Sequence, residues 1–142
     1  MNATMKKFGA PDTLIRDYDH WVVLLRPGQV TLGSLVLICK ESTTAFSMIS
    51  GAAFAELQLI TGHIEGALSR AFKYDRINYL MLMMVDPDVH FHVIPRYEKL
   101  RTFSGQAFTD HGWPGPPDLA KLNVTGSERN TQILTALKMD WP

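Results

Sequence analysis

Asp88, His90 and His92 alternate along the segment Asp88-Val89-His90-Phe91-His92-Val93-Ile94-Pro95-Arg96. In an extended chain that spacing sends the three polar side chains to one face and Val89, Phe91 and Val93 to the other. Neighbours on such a face stand about 6–7 Å apart at a rise of about 3.3 Å per residue, near enough for two imidazoles to serve one phosphate group or one metal ion. A neutral imidazole, with a free pKa of about 6.5, is a competent nucleophile and proton carrier at physiological pH. Two chemistries follow. One is attack on phosphorus with no metal; the other is chelation of zinc or copper, with Asp88 completing a carboxylate–imidazole set. The metal reading lacks a fourth ligand: His63 falls on a helical pattern beside Ile64, His111 lies in a loop-rich tail, and His20 sits at a strand edge. On spacing alone, a pair of half-exposed sheet residues is the plain alternative.

The elements that position this segment are legible from hydrophobic pattern. His20–Leu25 is an apolar run stopped by Arg26-Pro27-Gly28, and Leu35–Cys39 is a second run after Gly33-Ser34, which together predict a hairpin of buried strands. Phe54, Leu57, Ile60, Ile64, Leu68 and Phe72 recur at steps of three and four, predicting a helix from an N-cap at Ser50 to about Phe72. Ile77–Val85 reads as one long apolar strand. Asp86-Pro87 reads as a turn, and the histidine strand returns from Asp88 until Pro95 ends its pairing. Beyond Arg96 the chain is rich in glycine and proline up to a last helix, N-capped by Ser127, that buries Ile133, Leu134 and Leu137. The order β-β-α-β-β-α predicts an α+β fold: an antiparallel sheet of about five strands, a long helix on the face of Val89, Phe91 and Val93, and a C-terminal helix. Residues 1–142 are expected to form one domain, with a core over 18–97 and a tail over 98–142. The histidines should then lie on the opposite, more open face.

Lysine plus arginine and aspartate plus glutamate each number 14, so the formal charge is zero. That excludes the general basic field that holds a nucleic-acid backbone, and any anionic ligand must be caught locally. The one cysteine, Cys39, excludes an internal disulfide and a paired-cysteine metal knuckle. The longest apolar run, Tyr79–Val85, falls far short of the ~20 residues that span a bilayer. A soluble cytoplasmic protein without a membrane partner is expected. Met48, Met81, Met83 and Met84 read as adaptable core packing.

The segment Asp88–Arg96 resembles the histidine triad motif, histidine–apolar–histidine–apolar–histidine–apolar–apolar, with Asp88 in the first position. Its frame is similar too: Arg26-Pro27, then Gly33-Ser34-Leu35-Val36-Leu37-Ile38, the helix, and Ile77-Asn78-Tyr79 leading into the motif. The resemblance covers Tyr18 to Tyr97, and more weakly a tail containing Trp113-Pro114. It implies a homodimeric α+β protein that hydrolyses or transfers nucleoside phosphates at the α-phosphorus, on a dinucleoside polyphosphate or nucleoside phosphoramidate. It implies that His90 is the nucleophile, forming a covalent nucleotidyl-histidine that water opens, and that His92 contacts the phosphate or leaving-group oxygen and supplies a proton. It places Asn78 near the ribose or phosphate and requires no cofactor, magnesium arriving only with the substrate. The departures are Asp88 and Ser34 in positions of histidines, and Met84 in place of a polar amide. We expect the Ser34 hydroxyl and Asp88 carboxylate to restore a donor–acceptor pair behind the reacting imidazole. Arg96 is a candidate for phosphate charge compensation. Trp113 either stacks on a base or packs the tail. The incomplete triad leaves a nucleotide-binding protein without catalysis as the alternative.

Overall fold

The computed structural model describes residues Met1–Pro142. Its sheet is built on two strands that are buried at every position, β2 (Trp21–Leu25) and β3 (Leu35–Cys39), paired antiparallel from Trp21↔Cys39 to Leu25↔Leu35. Such continuous burial is possible because both faces are covered. The hairpin loop is closed by Gln29, whose Nε2 donates to the carbonyls of Arg26 and Ser34 and whose Oε1 accepts from the Gly33 amide. β1 (Leu14–Asp17) adds to one side, β5 (His90–Arg96) to the other, and β4 (Arg76–Leu80) forms the far edge. The order is β1-β2-β3-β5-β4, antiparallel throughout. The α+β expectation of a five-stranded sheet holds, with β1 added to the strands legible in the sequence.

The amphipathic pattern after Ser50 becomes a helix over Gly51–Phe72, and the Ser50 hydroxyl accepts from the Ala53 amide at 3.0 Å as its cap. Its face of Ile60, Ile64, Ala67, Leu68 and Phe72 joins Val23, Leu35, Leu37, Val89 and Val93 in one core, to which the C-terminal helix, Ser127–Asp140, adds Ile133 and Leu137. That last helix is capped by Gly126, one residue earlier than expected. The opposite face of the sheet carries a smaller cluster of Met5, Phe8, Val22, Leu24, Val36 and Ile38. Met5 belongs to a short N-terminal helix, Ala3–Lys7, which the hydrophobic pattern did not announce. No helix is long and apolar enough to cross a membrane.

Two expectations about the strands need correction. The apolar run after Asn78 is not one strand: pairing stops at Leu80↔His92, and Leu82, Met84 and Val85 are exposed, Met84 at 88%. In this register β5, which starts at His90, reaches no further than Leu82, so Met83, Met84 and Val85 have no strand to pair with. Met84 and Met48, the latter 71% exposed, are therefore not core. Pro95 does not end the histidine strand, which continues to Arg96 along β4. The β3 ladder ends at Leu35↔Val93, so a missing N–H at Pro95 leaves no bond to β3 unmade. The tail also holds a second small sheet, a hairpin of Arg101–Phe103 and Gln106–Phe108.

Candidate functional site

His90 lies opposite Ile38 and His92 opposite Val36 in the ladder with β3, on the sheet face away from the long helix. Their rings are 5.2 Å apart and nearly perpendicular, at 76°. His90 Nδ1 is 2.6 Å from the backbone carbonyl oxygen of Asp88. A carbonyl can only accept, so Nδ1 carries the proton and Nε2 keeps its lone pair. His92 Nδ1 is 3.4 Å from Arg26 Nε. A guanidinium can only donate, so the roles reverse: Nδ1 accepts and Nε2–H is the free donor. Burial, followed by the charges of Arg26 and His90, pushes the His92 pKa down to about 4. His92 is therefore neutral at physiological pH, able to donate a hydrogen bond but not an imidazolium that hands over a proton.

The two imidazoles stand in the wall of a cavity of about 290 Å³ bounded by Lys7, Phe8, Arg26, Asp86 and Leu119. Exposed Leu82, Met84 and Val85, with half-buried Met83 between them, form its rim. The expectation of an open face fails here: His90 is 2% and His92 7% exposed. The N-terminal segment covers them, with the Phe8 ring 6.4 Å from the ring of His90 and 5.7 Å from that of His92. Two cations, Arg26 and Lys7, face the cavity, and Lys7 is paired with Asp86 at 2.8 Å.

Asp88 contributes differently from expectation. Its carboxylate accepts from the Thr4 amide at 3.2 Å and the Thr4 hydroxyl at 2.8 Å, and only its carbonyl touches His90. Ser34 is fully buried, its hydroxyl donating to the Thr31 carbonyl at 2.8 Å and accepting from the Thr31 amide at 3.0 Å. It stabilises the β2–β3 loop and lines no part of the histidine cavity. The expected Ser34–Asp88 pair behind the imidazole is not formed. Nor does Asp88 complete a chelate, since no group of three or more histidine, cysteine or carboxylate residues converges anywhere.

Arg96 and Asn78 are placed elsewhere. Arg96 lies four residues beyond His92 on the same face, about 13 Å along the strand at about 3.3 Å per residue. It is 4% exposed, and its guanidinium donates to Asp110 at 2.7 and 3.0 Å, to Asn78 Oδ1 at 2.8 Å and to the Gly115 carbonyl at 2.9 Å. Burial alone would raise the Asp110 pKa, but the Arg96 bonds and the amides of Tyr97 and Gly112 outweigh it and lower the value. This knot ties the tail to the sheet, so Arg96 is not the expected free cation for a phosphate. Asn78, Arg96, Arg76 and Trp113 line a separate cavity of about 490 Å³.

Sequence reasoning missed Lys7, Phe8, Arg26 and Asp86 as cavity residues. Arg26 stood out only as a strand stop, and its position directly after β2, two strands from β5 in the sheet, was the one available signal. Lys7 and Phe8 carried none, because more than eighty residues separate them from the histidines.

No protein-family model matches the chain, and no curated protein is significantly similar to it. Among solved structures, a histidine triad protein from Sinorhizobium meliloti superposes with a TM-score of 0.77 at 18% identity, covering 99% of this chain and 95% of that one. A histidine triad protein from Bradyrhizobium japonicum gives 0.76 at 17% identity, covering 100% and 97%. A hypothetical histidine triad nucleotide-binding protein from Sulfolobus tokodaii gives 0.67 at 16% identity, covering 90% and 82%.

Proposed function

We propose, from the histidine triad fold that this chain shares with those structures, that it is a histidine triad protein that binds a nucleotide in the histidine cavity and cleaves it at the α-phosphorus through His90. The observation that carries this reading is the tautomer of His90, set by the 2.6 Å bond from Nδ1 to the Asp88 carbonyl. The Nε2 lone pair forms the bond to phosphorus while the bond from phosphorus to the leaving oxygen breaks, its electron pair departing with that oxygen. The proton on Nδ1 stays held by the carbonyl, which stabilises the positive imidazole of the nucleotidyl-histidine. Water then attacks phosphorus as the bond from phosphorus to Nε2 breaks, the electron pair of that bond returning to Nε2 and the water's proton passing to solvent. Arg26 and Lys7 offset phosphate charge, and His92 donates Nε2–H to a phosphate or leaving-group oxygen.

A neutral His92 favours a leaving group that departs as a stable anion, as the phosphate chain of a dinucleoside polyphosphate does, over the amine of a phosphoramidate, which must gain a proton. The mechanism calls on no metal of the protein's own. The reading includes a homodimer, supported by the unpaired edge of β4 and the exposed Phe46, Met48 and Phe54, and a reducing, cytoplasmic setting, supported by the free, buried Cys39.

Incubation with a dinucleoside polyphosphate, with and without chelator, tests the activity. Mononucleotide release insensitive to chelator, an acid-labile nucleotidyl-histidine at His90, and loss of both in His90→Gly are the expected results. The depth of His90 beneath Phe8 favours a second reading, nucleotide binding without turnover, which tight binding with no product would select.

A further inference from the structure

His90 stands in the cavity wall but is only 2% exposed, so the room a nucleotide has at its ring depends on the chain packed over it. One side of that wall is a short piece of chain held by polar links, the rest being Arg26, residues 82–86 and Leu119. Asn2 Nδ2 donates to the Cys39 carbonyl at 3.1 Å, Thr4 donates twice to the Asp88 carboxylate, and Lys7 Nζ reaches both oxygens of Asp86 at 3.0 and 2.8 Å. The last two links end on Asp86 and Asp88, which flank Pro87 in the turn entering the histidine strand. Beneath the links, Met5 and Phe8 pack on Val22, Leu24, Val36 and Ile38, and the Phe8 ring lies against both imidazoles.

We propose that residues Asn2–Phe8 form a latched gate over His90 and His92, with Asp88 and Asp86 as its catches and Phe8 as the part that blocks the imidazoles. Two physical features support opening as a local event. The segment's apolar contacts belong to the small cluster and not to the main core, and local openings of lightly packed elements lie far below global unfolding in free energy. Lys7 is half exposed, so its link to Asp86 weakens with salt. The carboxylate in the first motif position then has a mechanical use: it holds the cover, while its carbonyl holds the tautomer of the residue beneath.

The inference draws its importance from the proposed use of His90, but its test needs no nucleotide. Diethyl pyrocarbonate acylates the unprotonated nitrogen of accessible imidazoles, and mass spectrometry of peptides reads each histidine separately, with exposed His111 as internal reference. Asp88→Ala should accelerate acylation of His90 and His92 relative to His111 by roughly tenfold, as loss of hydrogen bonds to a charged acceptor implies. Lys7→Glu, at an exposed position that leaves folding intact, should accelerate it about threefold or more, less so at high salt. The charge swap Lys7→Glu with Asp86→Lys should return the rate towards that of the parent. Unchanged rates in a natively folded Lys7→Glu protein, or a swap that restores nothing, would overturn the gate, and this pair decides the matter if Asp88→Ala does not fold. Faster acylation in these variants of a parent protein that itself cleaves no nucleotide would sink the proposed function and leave the gate standing.

Discussion

Replacing Asp110 with alanine isolates the knot that was expected to be a phosphate ligand. The Arg96 and Asp110 side chains are 5% and 1% exposed, and the carboxylate accepts from Arg96 Nε and Nη2 and from the amides of Tyr97 and Gly112. Alanine leaves a buried guanidinium with only Asn78 and the Gly115 carbonyl as partners, and removing one member of a buried pair costs about 3–5 kcal/mol. For a chain of this length that corresponds to a drop in Tm of roughly 10–15 °C, at about 3 °C per kcal/mol. Thermal and urea unfolding followed by circular dichroism give the loss. The double variant Arg96→Met with Asp110→Ala should recover more than half of it, since the stranded charge is gone. The pair also sets an acid limit. The folded Asp110 pKa lies below its unfolded value, so its contribution is complete above about pH 4 and is lost as pH falls through the folded value. A loss under about 1 kcal/mol in Asp110→Ala, accompanied by weaker nucleotide binding, would refute this reasoning and make Arg96 a ligand after all.

The folded His92 pKa of about 4 lies below its free value, so the unfolded chain binds more protons between the two. Stability attributable to His92 should be complete above about pH 6.5 and fall as pH drops towards 4, and urea titrations of His92→Asn should show a flatter profile over that window. Replacing Arg26 with glutamine removes both a cavity cation and a cause of that depression. The His92 ring should then titrate higher by NMR, and nucleotide affinity measured by calorimetry should weaken about tenfold. Gly33 has φ of +87°, and a Cβ there would come within 2.9 Å of Leu68 and Phe72 side-chain carbons. Gly33→Ala should therefore cost about 1–3 kcal/mol in chemical denaturation, with no change in histidine acylation.

The elements with strong local signals were legible. The helix after Ser50 announced itself by spacing and cap, and β2 and β3 by unbroken apolar runs bounded by Pro27, Gly28 and Gly33. β1 escaped because its Leu14–Asp17 sequence is short and mixed, and its place depends on an exposed ladder edge that only the assembled sheet supplies. Residues 83–85 were misread because apolarity reports a preference for burial, whereas a strand needs a partner at that register. Arg96, Asn78 and Ser34 lie away from the two imidazoles and are hydrogen-bonded elsewhere for a common reason: a polar residue near a motif has many possible partners, and a buried donor is claimed by whichever acceptor packing brings to it.

By itself the sequence determined that His90 and His92 share a face, away from Val89 and Val93, because side-chain direction along a strand is a local property of backbone geometry. It also determined the two buried strands and the long helix that hold them. Only the tertiary structure decided which nitrogen of His92 is free, that Arg26 stands beside it, and that Phe8 lies over both rings. Those facts depend on contacts such as Thr4 to Asp88, between residues far apart in the chain, and no local rule of spacing constrains them.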